Sequence, residues 1–267
     1  MTMNIGTYLK PASLDEAYAA LQLEPKAKLL GGGAWLKLVD ADLPAAIDLA
    51  FLRLSGIKET VEEVRIGAMT TLSEIEASPL FSGLYNGIFR QAIHSVMGPS
   101  VRNIATLGGS IMGRFGFSDL LPVLLVLDAR LKFFKHPELS IGEFMEMKTP
   151  PRDILTQVIL PKHKAQGYFH KVTRTALDFA LVNVAILRLD SGYRIAVGSR
   201  PGAAMLCQKA MNHLAFRPLP DEKTMVEAGA IAAEECRPGS NQRASADYRK
   251  QLIETYVERG LREVTRS

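Results

Sequence analysis

The sequence predicts an α+β fold in two unequal parts. Short apolar runs, helical periodicities and glycine turns follow one another irregularly through roughly the first 160 residues, without the regular strand–helix repeat of a parallel sheet. From about Lys162 the texture changes: strand-like runs come first and helical ones last, which marks a separate carboxy-terminal unit with its boundary near 160–166. The 267 residues, 47% of them hydrophobic and 22% charged, are enough for one large core or two to three small ones.

Taken in order, Ser13 caps a helix over 14–23, with Asp15 and Glu16 in the first turn and Leu14, Ala17, Tyr18 and Leu21 on one face. Residues 27–30 read as a short buried strand entering Gly31, Gly32 and Gly33, and 34–39 as a short helix leaving them. A second strand over 45–49 completes a small β-α-β beginning that ends near Gly56, and 57–61 with 64–68 form a hairpin. Thr71 and Glu74 make a capping box for a helix that closes before Pro79. A further helix is expected over 84–96, strands over 129–134 and 154–160, and a helix over 141–145. Beyond the boundary, strands are expected over 168–173, 179–189 and 193–197, then helices over 203–214, 221–235 and 246–259.

Two glycine runs draw the functional reading. Residues 31–33 stand between a strand and a helix start, where glycine lets bare backbone N–H groups approach an anion. Gly108 and Gly109, flanked by Thr106 and Ser110, repeat the device, and two such loops can grip the two phosphates of a dinucleotide from opposite sides. Either run alone also reads as a tight turn. Asp119 reads equally as a cap for the apolar run 120–127, Lys171 and Arg174 as a solvated strand face, and Trp35 as core packing or a stacking surface.

Other classes fall away. A formal charge of +4, with basic and acidic residues interspersed, is no nucleic-acid footprint. The amino terminus lacks a secretory pattern, so a cytoplasmic location is expected, and the run 120–129, broken by Pro122 and Asp128, is too short to span a bilayer. Cys207 and Cys236 form no Cys-x-x-Cys and the five histidines show no ligand spacing, so no metal or iron–sulfur centre of this chain is expected. Reduced thiols are the default for that pair, with a disulfide left open.

With both loops placed, the chain resembles the FAD-binding (medium) subunit of the molybdenum hydroxylases of the xanthine dehydrogenase and carbon monoxide dehydrogenase type. The resemblance covers nearly the whole chain. It rests on residues 29–36, the run Ile66-Gly67-Ala68-Met69-Thr70-Thr71-Leu72, residues 101–111, Ser118-Asp119-Leu120-Leu121-Pro122, residues 155–161, Lys171-Val172-Thr173-Arg174 and residues 244–250, all in the family's order. It implies a two-subdomain FAD-binding domain of the vanillyl-alcohol-oxidase (PCMH) type over 1–162, with subdomains about 1–56 and 57–162, and a smaller α+β carboxy-terminal domain over 163–267. It implies that Gly31, Gly32, Gly33, Ala34 and Trp35 form the first pyrophosphate loop and Thr106, Gly108, Gly109 and Ser110 the second. Asp119 matches the aspartate that anchors the cofactor's polar portion; Leu155, Lys171 and Val96 match positions around the flavin, where a cation such as Lys171 favours the anionic reduced ring.

The family's usual hydroxyl or amide residue and the acid or small polar residue after the first glycines are replaced here by Ala34 and Trp35. Arg114, Phe115 and Phe117 stand where small residues are common, and the stretch between Leu131 and Asp153 is short. The resemblance implies an electron-transfer subunit. In the family's scheme a molybdenum-cofactor large subunit hydroxylates the substrate, a small subunit carries [2Fe–2S] clusters, and FAD passes electrons to an acceptor such as NAD or a quinone. No residue of this chain then acts as a catalytic acid or base. Two other readings stay open: a flavin-free scaffold homologue, motivated by Ala34 and Trp35, and a stand-alone FAD oxidoreductase.

Overall fold

A computed structural model of the chain describes residues 4–36, 42–200 and 202–266. Three sheets organise it. The first pairs β1 (Asn4–Leu9) and β2 (Lys28–Leu30) in parallel on either side of β3 (Asp42–Asp48), with α1 (Leu14–Leu23) supplying the crossover. Ser13 Oγ accepts from Glu16 N as expected for the cap. Ala17, Leu21, Ala45 and Ile47 form this unit's own small core. Strand β1 was not legible in the sequence because most of its residues face solvent and carry no apolar alternation. Of the helix expected over 34–39, residues 34–36 form a turn and the rest lies outside the described residues.

The second sheet is antiparallel, with β4 (Ile57–Glu59), β5 (Glu63–Gly67), β6 (Arg130–Phe133), β7 (Leu139–Ser140) and β8 (Leu155–Pro161) in the order β4-β5-β8-β6-β7. The helices of this part are α2 (Leu72–Ala77), α3 (Leu80–Gly83), α4 (Ile88–His94), α5 (Pro99–Arg102), α6 (Leu107–Met112), α7 (Leu120–Val126) and α8 (Ile141–Glu146). The capping box of Thr71 and Glu74 is present, and Ser140 with Glu143 forms a second. The helix expected over 84–96 is corrected. Tyr85, Asn86 and Gly87 take left-handed φ values of 54°, 56° and 70°, so α4 begins only at Ile88. Tertiary contact overrides the helical periodicity there, because the Tyr85 hydroxyl donates to the Pro161 carbonyl.

The third sheet contains β9 (Ala165–Val172), β10 (Val182–Leu189), β11 (Gly192–Gly198) and β12 (Met205–Leu206) in the order β12-β11-β10-β9. One face packs on α9 (Gln208–His213), α10 (Glu222–Cys236) and α11 (Ala246–Arg266), through Val184, Ile186, Ile195, Ile253, Val257 and Leu261. The other face, through Ala185, Leu187 and Ala196, joins the large core that also holds the five-stranded sheet, α4 and α7. All seven residues of α7 are buried, which is why that stretch reads as apolar all round.

Candidate functional site

The two glycine segments meet. Thr106 Oγ1 donates to the Gly31 carbonyl at 2.9 Å, and the same oxygen accepts from Gly109 N at 3.2 Å as the N-cap of α6. Gly32 and Gly33 take φ values of +83° and +69°. A Cβ on Gly32 would be driven into the Ile104 carbonyl oxygen, so the first loop crosses the segment leading into α6 at a distance that only glycine allows.

The two segments do different work, and this corrects the expectation of two matching donor loops. The N–H groups of Gly108, Gly109 and Ser110 are engaged within the chain, by Ala68 O at 2.8 Å, Thr106 Oγ1 at 3.2 Å and Thr106 O at 3.0 Å respectively. Ser110 Oγ also donates to Thr106 O at 2.9 Å. Glycine is needed at 108 for packing: a Cβ there would lie 2.8 Å from both the Ala68 Cβ and its carbonyl oxygen. The second segment is therefore the capped first turn of a helix. The first loop differs. Among the described residues, the N–H groups of Gly31, Gly32, Gly33, Ala34 and Trp35 have no hydrogen-bond partner, and nothing stands within 4 Å of where a Gly33 Cβ would be. Those open donors fit a diphosphate.

Beside this crossing lies a buried polar group. Lys171 on β9 and Asn183 on β10 are cross-strand partners, and both reach Asp119 at the start of α7. Lys171 Nζ lies 2.7 Å from Asp119 Oδ2 and donates to the Ser95 carbonyl at 2.8 Å. Asn183 Nδ2 donates to Asp119 Oδ1 at 3.1 Å and to Ser118 O at 3.0 Å. Asp119 is not the side-chain cap of α7; Ser118 Oγ accepts from Leu121 N at 3.3 Å instead. Burial pushes the Asp119 carboxyl above the usual carboxylate range, opposed by the charge and hydrogen bond of Lys171 and by Asn183. Two of the three Lys171 ammonium hydrogens are used by Asp119 and Ser95, and the third has no partner among the described residues.

Val96 follows Ser95 and is held by its carbonyl, which accepts from Arg102 Nη1 at 3.1 Å. Leu155 lies within the core cluster on β8, as apolar backing beside Thr156, whose carbonyl accepts from Ala68 N at 2.9 Å. Trp35 is brought against Phe115 (ring centroids 4.8 Å), Phe117 (5.1 Å) and Phe179 (6.4 Å), so the sole tryptophan joins rings from the α6–α7 turn and the β9–β10 connection. Asn183, Ser95 and Phe179 were missed by sequence reasoning. Asn183 carried a signal, as the only polar residue between Ala180 and Leu187.

The fold is that of a two-part flavoprotein, with an FAD-binding part and a carboxy-terminal part. A family model described as the FAD binding domain in molybdopterin dehydrogenase matches residues 2–163, and one described as the CO dehydrogenase flavoprotein C-terminal domain matches residues 167–264. The chain belongs to this family of FAD-binding dehydrogenase subunits, which are oxidoreductases. It is 26% identical over 288 residues to the putative xanthine dehydrogenase FAD-binding subunit XdhB of Escherichia coli K12, covering 97% of this chain and 96% of that protein. It is 27% identical over 276 residues to the carbon monoxide dehydrogenase medium chain of Hydrogenophaga pseudoflava, covering 95% of each. The solved carbon monoxide dehydrogenase from H. pseudoflava that lacks the Mo-pyranopterin moiety matches with a TM-score of 0.87 at 26% identity, over 99% of this chain and 98% of that one. Among the described residues no helix is long and apolar enough to cross a membrane, and no cluster of three or more histidine, cysteine, aspartate or glutamate residues is arranged to hold a metal.

Proposed function

We propose that the chain is the electron-transfer flavoprotein subunit of a molybdenum hydroxylase complex. It works with a molybdenum-cofactor large subunit and a [2Fe–2S] small subunit, in the cytoplasm, and delivers electrons to an acceptor such as NAD or a quinone. The observation that carries this reading is the crossing of the first glycine loop over the start of α6, with five N–H groups open and a lysine–aspartate pair beside them. The relatives named as FAD-binding subunit and medium chain support it.

In this reading residues 1–162 hold the cofactor and 163–267 close over it. Gly31, Gly32, Gly33, Ala34 and Trp35 supply backbone donors to the diphosphate. Thr106, Gly108, Gly109 and Ser110 form the wall that fixes that loop, with Thr106 as the tie. Bound FAD supplies the ability to accept and release electrons, which no side chain here has. Lys171 is a positioning donor toward the flavin rather than an isolated positive charge, because Asp119 compensates it at 2.7 Å. Val96 and Leu155 keep that end apolar.

Co-expression with a molybdenum-cofactor large subunit and a [2Fe–2S] small subunit tests the proposal. A heteromeric complex with flavin absorption at about 450 nm, bleached when substrate is added, is the expected result. Turnover by the isolated chain with a small substrate would assign it instead to the stand-alone oxidoreductases. One observation favours a flavin-free scaffold: the aromatic rings crowded beside the open donors. A complex that assembles and turns over with no flavin band would establish that role.

A further inference from the structure

We propose that the cleft between β9 and α11 binds the phosphate group of a small molecule through the Tyr168 and Tyr256 hydroxyls, the His170 ring and the Arg259 guanidinium. The cleft lies on the helix-bearing face of the third sheet. Lys171, on the same strand, points to the opposite face by alternation, toward Asp119. The proposal is therefore independent of the flavin reading.

Tyr168 and His170 stand two residues apart on β9 and so share a face. On α11, Tyr256, Arg259, Glu263 and Arg266 recur every three or four residues and form one stripe. Gly260 lets the two elements meet: a Cβ there would lie 2.4 Å from Tyr168 Cδ1, so the helix backbone rests directly on that ring. The rings form a stack. Tyr168 and His170 are 6.4 Å apart with planes within 13°, and His170 and Tyr256 are 4.1 Å apart with planes within 11°. The Arg259 guanidinium covers the far face of Tyr256, 5.3 Å from its centroid. Together with Arg262 these residues line a cavity of about 480 Å³.

The polar ends of these side chains are unspent. Tyr168 is only 8% exposed, yet its hydroxyl has no hydrogen-bond partner among the described residues. Tyr193, buried to a similar degree in the same core, donates to the Pro218 carbonyl at 2.8 Å. A buried hydroxyl is seldom left unpaired. The Tyr168 hydroxyl feels the charges of Glu263 and Arg259, which places it on the cavity side, and burial pushes it up, so it stays a protonated donor. Burial and Arg259 hold the His170 ring below its usual range, so at neutral pH it is uncharged with one N–H to give. Neither that ring nor the Tyr256 hydroxyl has a hydrogen-bond partner among the described residues, and Arg259 pairs with no carboxylate among them. Arg262 is spent on Glu222 and Glu258 and frames the cleft. Donors from a strand on one side and a helix on the other suit a tetrahedral oxyanion. A flat aromatic ligand is not favoured, because the ring faces are already taken by one another, by Gly260 and by Arg259.

Calorimetric titration of the full chain with inorganic phosphate tests the site, comparing the wild type with Tyr168→Phe and Arg259→Gln. Both variants should melt close to the wild type, since neither group has a partner to lose. Phosphate should bind the wild type, about two- to ten-fold more weakly in Tyr168→Phe and at least about ten-fold more weakly in Arg259→Gln. A parallel titration with glycerol 3-phosphate separates the sources. Tighter binding than phosphate, with the same loss in Arg259→Gln, assigns a phosphate ester; equal or weaker binding assigns free phosphate, and both results support the site. No binding of either probe to the wild type, or binding that either variant keeps in full, would overturn it. So would a clear fall in the melting temperature of Tyr168→Phe, which would show its hydroxyl bonded within the chain. None of these outcomes touches the first glycine loop, so the flavin reading stands or falls separately.

Discussion

Replacing Lys171 by methionine removes the one cation that, among the described residues, compensates Asp119, and leaves a carboxylate only 7% exposed. Methionine keeps the length and apolar stem of lysine, so the loss is the charge and its two hydrogen bonds, to Asp119 at 2.7 Å and to the Ser95 carbonyl at 2.8 Å. Breaking a buried pair from one side costs about 3–5 kcal/mol, which for a chain of this size lowers the melting temperature by on the order of 6–20 °C. The loss is pH-dependent, and its sign follows from the direction of the Asp119 shift. Burial raises this carboxyl above its ordinary range, so the folded chain holds the proton more tightly than the unfolded one. Such a group stabilises fully below its unfolded pKa, and that contribution is lost as pH rises through the folded pKa. Without Lys171 the folded pKa moves higher still, so the deficit relative to the wild type is largest near pH 8 and shrinks toward pH 5. Thermal melts of both proteins across that range measure it. Asp119→Asn combined with Lys171→Met should recover most of the stability, since no charge is then left unpaired. A deficit below about 1 kcal/mol, or one that does not change with pH, would refute the view that this pair is a buried, mutually dependent charge couple.

Gly32→Ala forces a Cβ into the Ile104 carbonyl at a φ of +83°, and should cost at least ~1–2 kcal/mol from backbone conformation alone; melting should show the loss together with weakened FAD binding. Thr106→Val removes the tie to Gly31 O and the cap of α6, with an expected loss of about 0.5–2 kcal/mol in urea unfolding, while Thr106→Ser keeps the oxygen and should stay close to the wild type. Cys207 and Cys236 are buried free thiols with sulfurs 3.5 Å apart, and the hydrogen bond with Cys236, together with burial, pushes the Cys207 thiol up. Neither should react with a thiol reagent at pH 8 in the folded chain, and both should react at once in guanidinium.

Much of the fold was legible because local signals and tertiary structure agree. Ser13, and Thr71 with Glu74, mark helix starts that the structure uses, and the apolar run of α7 is buried on every side between the third sheet and helices α4, α6 and α8. The failures at Tyr85 and Gly108 share a cause: the deciding contact is distant in sequence. The break at Tyr85 is set by Pro161, 76 residues away. The engagement of the Gly108 N–H depends on Ala68, which no spacing within the glycine motif could reveal. Thr106, Gly108 and Gly109 were found as a motif, but their service as the cap and first turn of α6 could be seen only in three dimensions. Asn183 stands where a single polar residue interrupts an apolar strand, a sign that a buried partner awaits it; that partner is Asp119.

Hydrogen–deuterium exchange of the full chain, with and without saturating FAD, tests most directly whether the first glycine loop is the diphosphate donor. Exchange at residues 31–35 should be fast without ligand and slow sharply with it. The N–H groups of Gly108, Gly109 and Ser110, already engaged, should be slow in both states and change little. FAD bound with no protection at residues 31–35 would contradict the account.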